Sequence, residues 1–325
     1  MKVLFIFLAA LLVACEPAHQ KDAKQPTSVT NSEEDYSAYL EEVRPYHRAN
    51  AVVREPDTTI KTQVKPFVKH LEGPNGRIGL RIFKPDTIRA VVLDIHGGGW
   101  VSGMAQYGDV FNDEMARICQ VAVVSVDYHL VTPATPFRVC IDDCRIAAKW
   151  AINNSLQEFG TEKIIVSGGS SGGHLAALTT LYIRDSLHAI DRVKGVNLMY
   201  GIFDLSKTPS VRMVSDTAYL INKGVVDYLW KELFGRWSAE ELRNPRYSPL
   251  YADLHHLPPA MFTVGTADLV VDDTFFMEDR WRLAGNKTTL AVYPECPHAF
   301  NRLPIKIAAI ANKKIFRWMN EVSEE

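Results

Sequence analysis

One segment restricts the fold more than any other, because it joins an apolar strand, a glycine-flanked serine and a helix without a break. Residues 163–176 read Lys-Ile-Ile-Val-Ser-Gly-Gly-Ser-Ser-Gly-Gly-His-Leu-Ala. The β-branched run predicts a buried strand, and the residues after the glycines favour a helix. Ser170, between Gly168 and Gly172, would then lie on a sharp turn that tolerates only small neighbours. Such a turn is typical of an α/β fold.

A serine in this position has the sequence form of a nucleophile elbow. The turn holds its hydroxyl clear of the sheet, and the amide groups of the following helix point toward it. Ser171 also fits the bare pattern, because glycines flank it at the same spacing, but the strand register favours Ser170. A purely structural Gly-Ser turn is the alternative that the serine alone leaves open.

Short β-branched runs alternate with helical patterns from residue 90 onward. This alternation predicts βαβ units and a mostly parallel central sheet with helices on both faces. One or two antiparallel strands are expected over residues 59–83, broken at Gly73–Gly76. The predicted later strands are Val91–Ile95, Val121–Val126, Ile164–Ser167, Val196–Met199, Ala260–Val264 and Thr288–Tyr293. The predicted fold class is therefore α/β.

The amino terminus has the composition of a targeting segment. Val3–Val13 is apolar but shorter than the roughly 20 residues that span a bilayer. It ends in Leu-Val-Ala-Cys15, which resembles the lipobox of bacterial lipoprotein signal peptides. The resemblance implies a signal peptide over residues 1–14 and lipid on Cys15, and an ordinary secretory signal is the alternative. Polar residues 15–35 predict a flexible tether.

These features predict that the protein is located in a bacterial cell envelope. Lipid at Cys15 would make it membrane-anchored, and Glu16 in place of aspartate favours the outer membrane over the inner one; without lipid the protein would be periplasmic. The net charge of −2 and the absence of a long basic run argue against nucleic-acid binding. Cys140 and Cys144 are predicted to be buried free thiols, and the pairing of Cys119 and Cys296 stays open.

Residues 36–325 are predicted to form one domain with two cap segments. Helical spacing over residues 36–54 suggests that the first cap segment covers about 36–56. The second, 201–252, interrupts the strand rhythm and contains an aromatic-rich helical stretch, Tyr219–Phe234. We expect it to lie over the carboxyl edge of the sheet and shape a substrate pocket. An additional packing layer is the alternative.

A catalytic serine needs a base and an acid that orients the base. Asp268 and His298 each follow a late predicted strand, in the chain order serine, acid, histidine. Asp268 is favoured over its neighbours, for which the alternative roles are that Asp272 holds the loop and that Asp273 caps the next helix. His298 is favoured over five other histidines because none of those follows a late strand: His96, His174, His188, His255 and His256.

A glycine-rich loop follows the predicted strand Val91–Ile95 and reads His-Gly-Gly-Gly-Trp over residues 96–100. Glycines allow backbone N–H groups to turn toward a ligand, so this loop is a candidate oxyanion hole. We favour the amides of Gly98 and Gly99, together with that of Ser171. His96 is expected to support the loop, and Trp100 either lines an acyl pocket or packs in the core. No metal-ligand spacing is present, and no metal or cofactor is expected.

Together these motifs resemble the hormone-sensitive-lipase-like family of α/β-hydrolase esterases, over about residues 60–320. The resemblance implies an α/β-hydrolase fold with a helical cap and a cofactor-free serine hydrolase that acts on small-molecule or short-chain esters through an acyl-enzyme. The motifs that carry it are His96–Trp100, Asp127–Leu130, Gly168–Gly173, Asp268–Asp272 and His298–Phe300.

Three positions depart from the family pattern: Gly169 stands for aspartate, Ser171 for alanine and His129 for arginine. These departures concern the substrate class more than the reaction type. Arylformamidase-like relatives share the run Ser170–Ala176, so an amidase, arylformamidase or peptidase is one alternative. A non-catalytic ligand-binding member of the fold is another, although some such proteins have lost the histidine that this chain keeps as His298.

Overall fold

The structure is a computed structural model that describes residues 36–47, 61–218 and 220–324. The predicted signal peptide over 1–14, the lipidation site Cys15 and the predicted tether over 15–35 lie outside these ranges, as do residues 48–56 of the first cap segment. None of the described helices is both long and apolar enough to cross a membrane.

An eight-stranded sheet forms the centre of the fold, in the order β1-β2-β4-β3-β5-β6-β7-β8. Strand β2 pairs antiparallel with β1 and with β4, and every other pairing is parallel. The strands are β1 Phe67–Gly73, β2 Gly76–Phe83, β3 Ala90–Ile95, β4 Val121–Asp127, β5 Ile164–Gly169, β6 Val193–Met199, β7 Ala260–Gly265 and β8 Thr288–Tyr293. The predicted α/β class with a mostly parallel sheet is confirmed.

Helices cover both faces of this sheet. Helix α2 packs against α9, and α3 packs against α4. Because both faces are covered, every residue of β3, β5 and β7 is buried, which explains their continuous apolar runs. The helices are α1 Leu40–Val43, α2 Asp109–Cys119, α3 Arg138–Phe159, α4 Ser171–Asp185, α5 Pro209–Arg212, α6 Lys223–Phe234, α7 Ala239–Leu242, α8 Val271–Leu283 and α9 Lys306–Glu324.

The described part of the first cap segment is helical but is not one continuous α-helix. It consists of 3₁₀ turns at Ser37–Tyr39 and Arg44–His47 on either side of the short α1. Pro45 gives the reason, because it has no N–H to donate to the carbonyl four residues earlier. The α-helical ladder therefore cannot continue through it.

The second cap segment contains α5, α6 and α7. Helix α6 begins at Lys223, where the Asn222 side chain accepts a hydrogen bond from the Val225 N–H at 3.1 Å. Its Trp230 and Phe234 rings contact Trp100 edge to face, at centroid distances of 6.4 Å and 5.8 Å. The segment thus packs directly on the glycine-rich loop.

The four cysteines within the described residues are buried and form no disulfide. Cys140 and Cys144 are free thiols in α3, as predicted. Burial raises the pKa of the Cys140 thiol, since the apolar surroundings disfavour the thiolate. These cysteines therefore serve as small apolar core residues.

Candidate active site

Ser170 lies on a strained turn between β5 and α4. Its φ of +58° with ψ of −127° is a backbone conformation that L-residues rarely adopt. Two neighbouring glycines make the turn possible: a Cβ at Gly168 would lie 2.2 Å from the Gly172 oxygen, and one at Gly172 only 2.0 Å from the Ile95 oxygen. The glycine spacing is therefore required by the close approach of α4 to the strands.

Three predicted side chains meet at this turn in a hydrogen-bonded series. The Ser170 Oγ lies 2.8 Å from His298 Nε2. On the other side of the ring, His298 Nδ1 lies 2.8 Å and 3.0 Å from the two carboxylate oxygens of Asp268. A carboxylate can only accept, so Nδ1 carries the proton and Nε2 is free to accept from the serine.

The sheet topology explains why these distant residues meet. Ser170 directly follows β5, Asp268 follows β7, and His298 follows β8. Since these strands are parallel, their carboxyl ends lie along one edge of the sheet. All three side chains are buried, so their mutual interactions are only weakly screened by water.

The neighbouring acids have other partners. Asp272 accepts a hydrogen bond from the Ser210 N–H at 2.8 Å and so holds the loop, as the first alternative predicted. The predicted capping role of Asp273 is wrong, because this residue lies inside α8 and accepts from the cap segment instead. Its donors are the Phe203 and Asp204 N–H groups and the Thr208 hydroxyl. Burial raises the pKa of Asp273 to about 7.

The glycine-rich loop lies beside the serine. A Cβ at Gly97 would lie 3.2 Å from the Ser170 Cβ. Gly98 and Gly99 have φ of +128° and +61°, which turns this part of the backbone away from ordinary strand geometry. Among the residues that the structure describes, no protein atom accepts a hydrogen bond from either of their N–H groups. Ser171 is the first residue of α4, where an N–H has no acceptor within the helix.

Comparison with known proteins places the chain in a family. A family model described as alpha/beta hydrolase fold matches residues 92–302. The chain belongs to the alpha/beta hydrolase fold family. It is 32% identical over 203 residues to an arylesterase of Saccharolobus solfataricus, a match that covers 59% of this chain and 63% of that protein. The chain thus spans less than two thirds of that relative.

Solved structures agree with this assignment. An esterase from Pyrobaculum calidifontis matches the α/β-hydrolase with a TM-score of 0.74 and 26% identity, over 82% of this chain and 87% of that one. A hormone-sensitive lipase from a metagenome library matches with a TM-score of 0.70 and 25% identity, over 81% and 88% of the two chains. The resemblance expected from the motifs is confirmed.

His96 supports the glycine-rich loop of this α/β-hydrolase, as predicted. Its Nδ1 donates to the Gly97 carbonyl at 2.8 Å, and its ring stacks on Tyr128 with centroids 4.2 Å apart. The Tyr128 hydroxyl donates to the His96 carbonyl at 3.0 Å. Burial lowers the pKa of His96, so the imidazole is held neutral. The start of the loop is therefore held through both its side chain and its backbone.

Trp100 packs in the core of the α/β-hydrolase and has no exposed surface. Its Nε1–H donates to His174 Nδ1 at 3.2 Å, and His174 Nε2 donates to the Tyr247 carbonyl at 2.6 Å. Burial lowers the pKa of His174 to about 4, which keeps the ring neutral and able to accept from Trp100. The sequence predicted no role for His174, since its partners lie 74 and 73 residues away.

His129, where the resemblance expects arginine, also has a defined partner. Its Nδ1 and backbone N–H both donate to one oxygen of the fully buried Asp143, at 2.6 Å and 2.8 Å. The contact ties the end of β4 to α3. Within the described ranges, no group of three His, Cys, Asp or Glu side chains is arranged to hold a metal ion.

Proposed function

We propose that this chain is a serine hydrolase that cleaves carboxylic esters through an acyl-enzyme. The observation that carries the proposal is the 2.8 Å contact between Ser170 Oγ and His298 Nε2, with Asp268 on the opposite ring nitrogen. This is the arrangement of nucleophile, general base and orienting acid that acyl transfer requires. Relatives named arylesterase and esterase support an ester as the substrate.

The first half-reaction forms the acyl-enzyme. His298 Nε2 takes the Ser170 proton while Oγ attacks the ester carbonyl carbon and the carbonyl electrons move to oxygen. Asp268 stabilises the resulting imidazolium through its Nδ1–H and remains ionised. The imidazolium then gives its Nε2 proton to the departing alkoxide, and the alcohol leaves as the acyl–serine ester forms.

The second half-reaction repeats these steps with water. His298 removes a proton from water as its oxygen attacks the acyl carbon, and the proton returns to Ser170 Oγ as the carboxylic acid leaves. In both halves the tetrahedral oxyanion is assigned to the N–H groups of Gly98, Gly99 and Ser171. One such donor is worth about 2.7–4 kcal/mol of transition-state stabilisation.

A covalent probe tests the nucleophile directly. A fluorophosphonate should label the wild-type protein, whereas Ser170→Ala should not be labelled while it remains folded. Ser171→Ala is the matched control: it removes only a hydroxyl, keeps the backbone amide and should still be labelled. A folded wild-type protein that resists the probe would refute the proposed nucleophile and favour a ligand-binding member of the fold.

The reaction class is tested with a substrate panel. We propose small or short-chain esters, so kcat/KM should be highest for nitrophenyl acetate to butyrate and low for aryl formamides and peptides. The reverse order would instead assign an amidase, arylformamidase or peptidase to the same three side chains. Both outcomes require Ser170, which separates the identity of the substrate from that of the nucleophile.

We also propose that the enzyme is held in the bacterial cell envelope by lipid on Cys15, with the outer membrane favoured. The Leu-Val-Ala-Cys run after an apolar segment supports this location. In cells fed a labelled fatty acid, the full chain should incorporate label, and Cys15→Ala should not. Equal labelling of both proteins would contradict the proposed anchor.

A further inference from the structure

Gly169 precedes the proposed nucleophile Ser170, and the ring of Tyr200 occupies the space that a side chain at Gly169 would need. A Cβ at Gly169 would lie 3.0 Å from Cε2 of Tyr200 and 3.3 Å from its hydroxyl oxygen. Tyr200 directly follows β6 and has a φ of +39°, which a tyrosine rarely adopts. This strained backbone directs the ring into the space beside Ser170.

Tyr200 also contacts the turn that carries His298. The two rings meet edge to face, with centroids 5.0 Å apart and planes at 65°. The Tyr200 hydroxyl donates to Asn301 Oδ1 at 2.6 Å, three residues after the histidine. Asn301 in turn donates through Nδ2 to Asn312 Oδ1 in α9 at 3.0 Å. The histidine turn is thereby connected both to β6 and to α9.

The same segment holds the serine turn. The Ser170 N–H donates to the Met199 carbonyl at 2.9 Å, one residue before Tyr200. Met199 therefore contacts the serine turn through its backbone, and Tyr200 contacts the histidine turn through its side chain. The histidine turn needs such support, since Ala299 has a φ of +58° that alanine adopts only at a cost in energy.

We propose that Tyr200 is a positioning residue that holds the His298 ring at hydrogen-bonding distance from Ser170. Its ring limits rotation of the imidazole, and its hydroxyl holds the turn through Asn301. Gly169 is what makes room for this ring. The inference rests on the proposed function. It goes beyond that function because Tyr200, which is not one of the three hydrogen-bonded side chains, is what aligns His298 with Ser170.

Deprotonation of Tyr200 does not interrupt this contact. Burial raises the pKa of Tyr200 above its ordinary value and outweighs the opposite effect of Arg302. The hydroxyl thus keeps its proton and continues to donate to Asn301 across the working range of an esterase. Among the described residues, Asp268 is hydrogen-bonded to His298, and Arg302, Asp268 and Asp94 are charged groups that act on Tyr200.

The test is a double-mutant cycle on the full chain, assayed with nitrophenyl acetate. Tyr200→Phe removes only the hydroxyl, and we expect kcat to fall about tenfold with KM within about twofold of wild type. Asn301→Ala should cause a similar loss. If the hydroxyl acts through Asn301, the double variant should lose no more than either single variant. Tyr182→Phe is the control, because Tyr182 lies in α4, eleven residues beyond Ser171 and outside both cap segments, where its ring packs against Arg145.

A measurement on His298 itself distinguishes a positioning role of Tyr200 from a purely structural one. In Tyr200→Phe we expect the low-field proton signal of His298 Nδ1–H to broaden, and the acid limb of the pH profile of kcat/KM to move. The inference would be overturned if the losses in kcat of the two single variants multiply in the double variant, or if the kcat of Tyr200→Phe stays within twofold of wild type. The proton signal is measured without substrate, so an unchanged signal refutes the positioning role even if the protein hydrolyses no ester.

Discussion

Replacing Asp273 with asparagine should change how the stability of this protein depends on pH. The carboxylate is fully buried in α8, where it accepts from two backbone N–H groups and the Thr208 hydroxyl. Through these bonds it ties the start of the second cap segment to the helix that follows Asp268. Burying this charge is costly, and its removal by Asp273→Asn keeps the shape of the contact.

The magnitude follows from the pKa. Burial raises the pKa of Asp273 from 3.8 to about 7, so the folded state binds a proton that the unfolded state has released between these values. Because the unfolded state binds fewer protons there, this carboxyl lowers stability as pH rises through the window. The displacement corresponds to about 4 kcal/mol. Asp273→Asn has no carboxyl at this position and does not lose this stability. Its free energy of unfolding relative to that of wild type should therefore increase, by up to that amount, as the pH rises to 8.

Urea unfolding, followed by tryptophan fluorescence at pH 4.5, 6 and 8, measures the difference between the two proteins. Groups common to both proteins cancel in this difference, including the buried histidines. Asp227→Asn is the control of opposite sign, since a hydrogen bond from Lys223 lowers the pKa of this exposed carboxyl. A difference between wild type and Asp273→Asn that stays constant from pH 4.5 to pH 8 would refute the reasoning.

Three further outcomes are expected. Gly172→Ala should destabilise the fold by about 3 kcal/mol or more in urea unfolding, because its Cβ would lie 2.0 Å from a β3 carbonyl oxygen. Gly224→Ala in α6 is the control: its Cβ would make only an ordinary van der Waals contact, so this variant should unfold at the same or a higher urea concentration than wild type. His174→Gln should flatten the loss of stability between pH 6.5 and about 4, because the folded wild type keeps this ring neutral while the unfolded chain protonates it; parallel pH curves would contradict this. Ala299→Gly should raise stability by about 0.5–1 kcal/mol by relieving a φ of +58°, and an unchanged melting temperature would argue against strain at this turn.

The sheet and the residues at its edge could be predicted from the sequence because each depends on neighbours in the chain. The run before Ser170 predicted a buried strand, and β5 extends from Ile164 to Gly169. Asp268 and His298 were found by the same reasoning, since parallel strands bring their carboxyl ends to one edge. The glycine spacing around Ser170 was equally informative, because a side chain at Gly168 or Gly172 would overlap backbone atoms.

One prediction failed because tertiary contacts outweigh a local preference. Asp273 lies near the start of α8, where a carboxylate ordinarily binds helix amides, yet its partners come from residues 203–208. Nothing in the spacing of these residues indicates which distant donor a buried carboxylate will meet.

The sequence by itself therefore determined the fold class, the position of the strained serine turn and the three side chains that meet there. Burial periodicity and backbone sterics act over a few residues, so they can be recognised without the fold. Only the tertiary structure decided how these groups are held in place. Tyr200 and Asn301 are 101 residues apart, and Trp100 and His174 are 74 apart. Such pairs form because a buried polar group must find a hydrogen-bond partner, and the packing of the whole chain determines which partner lies within reach.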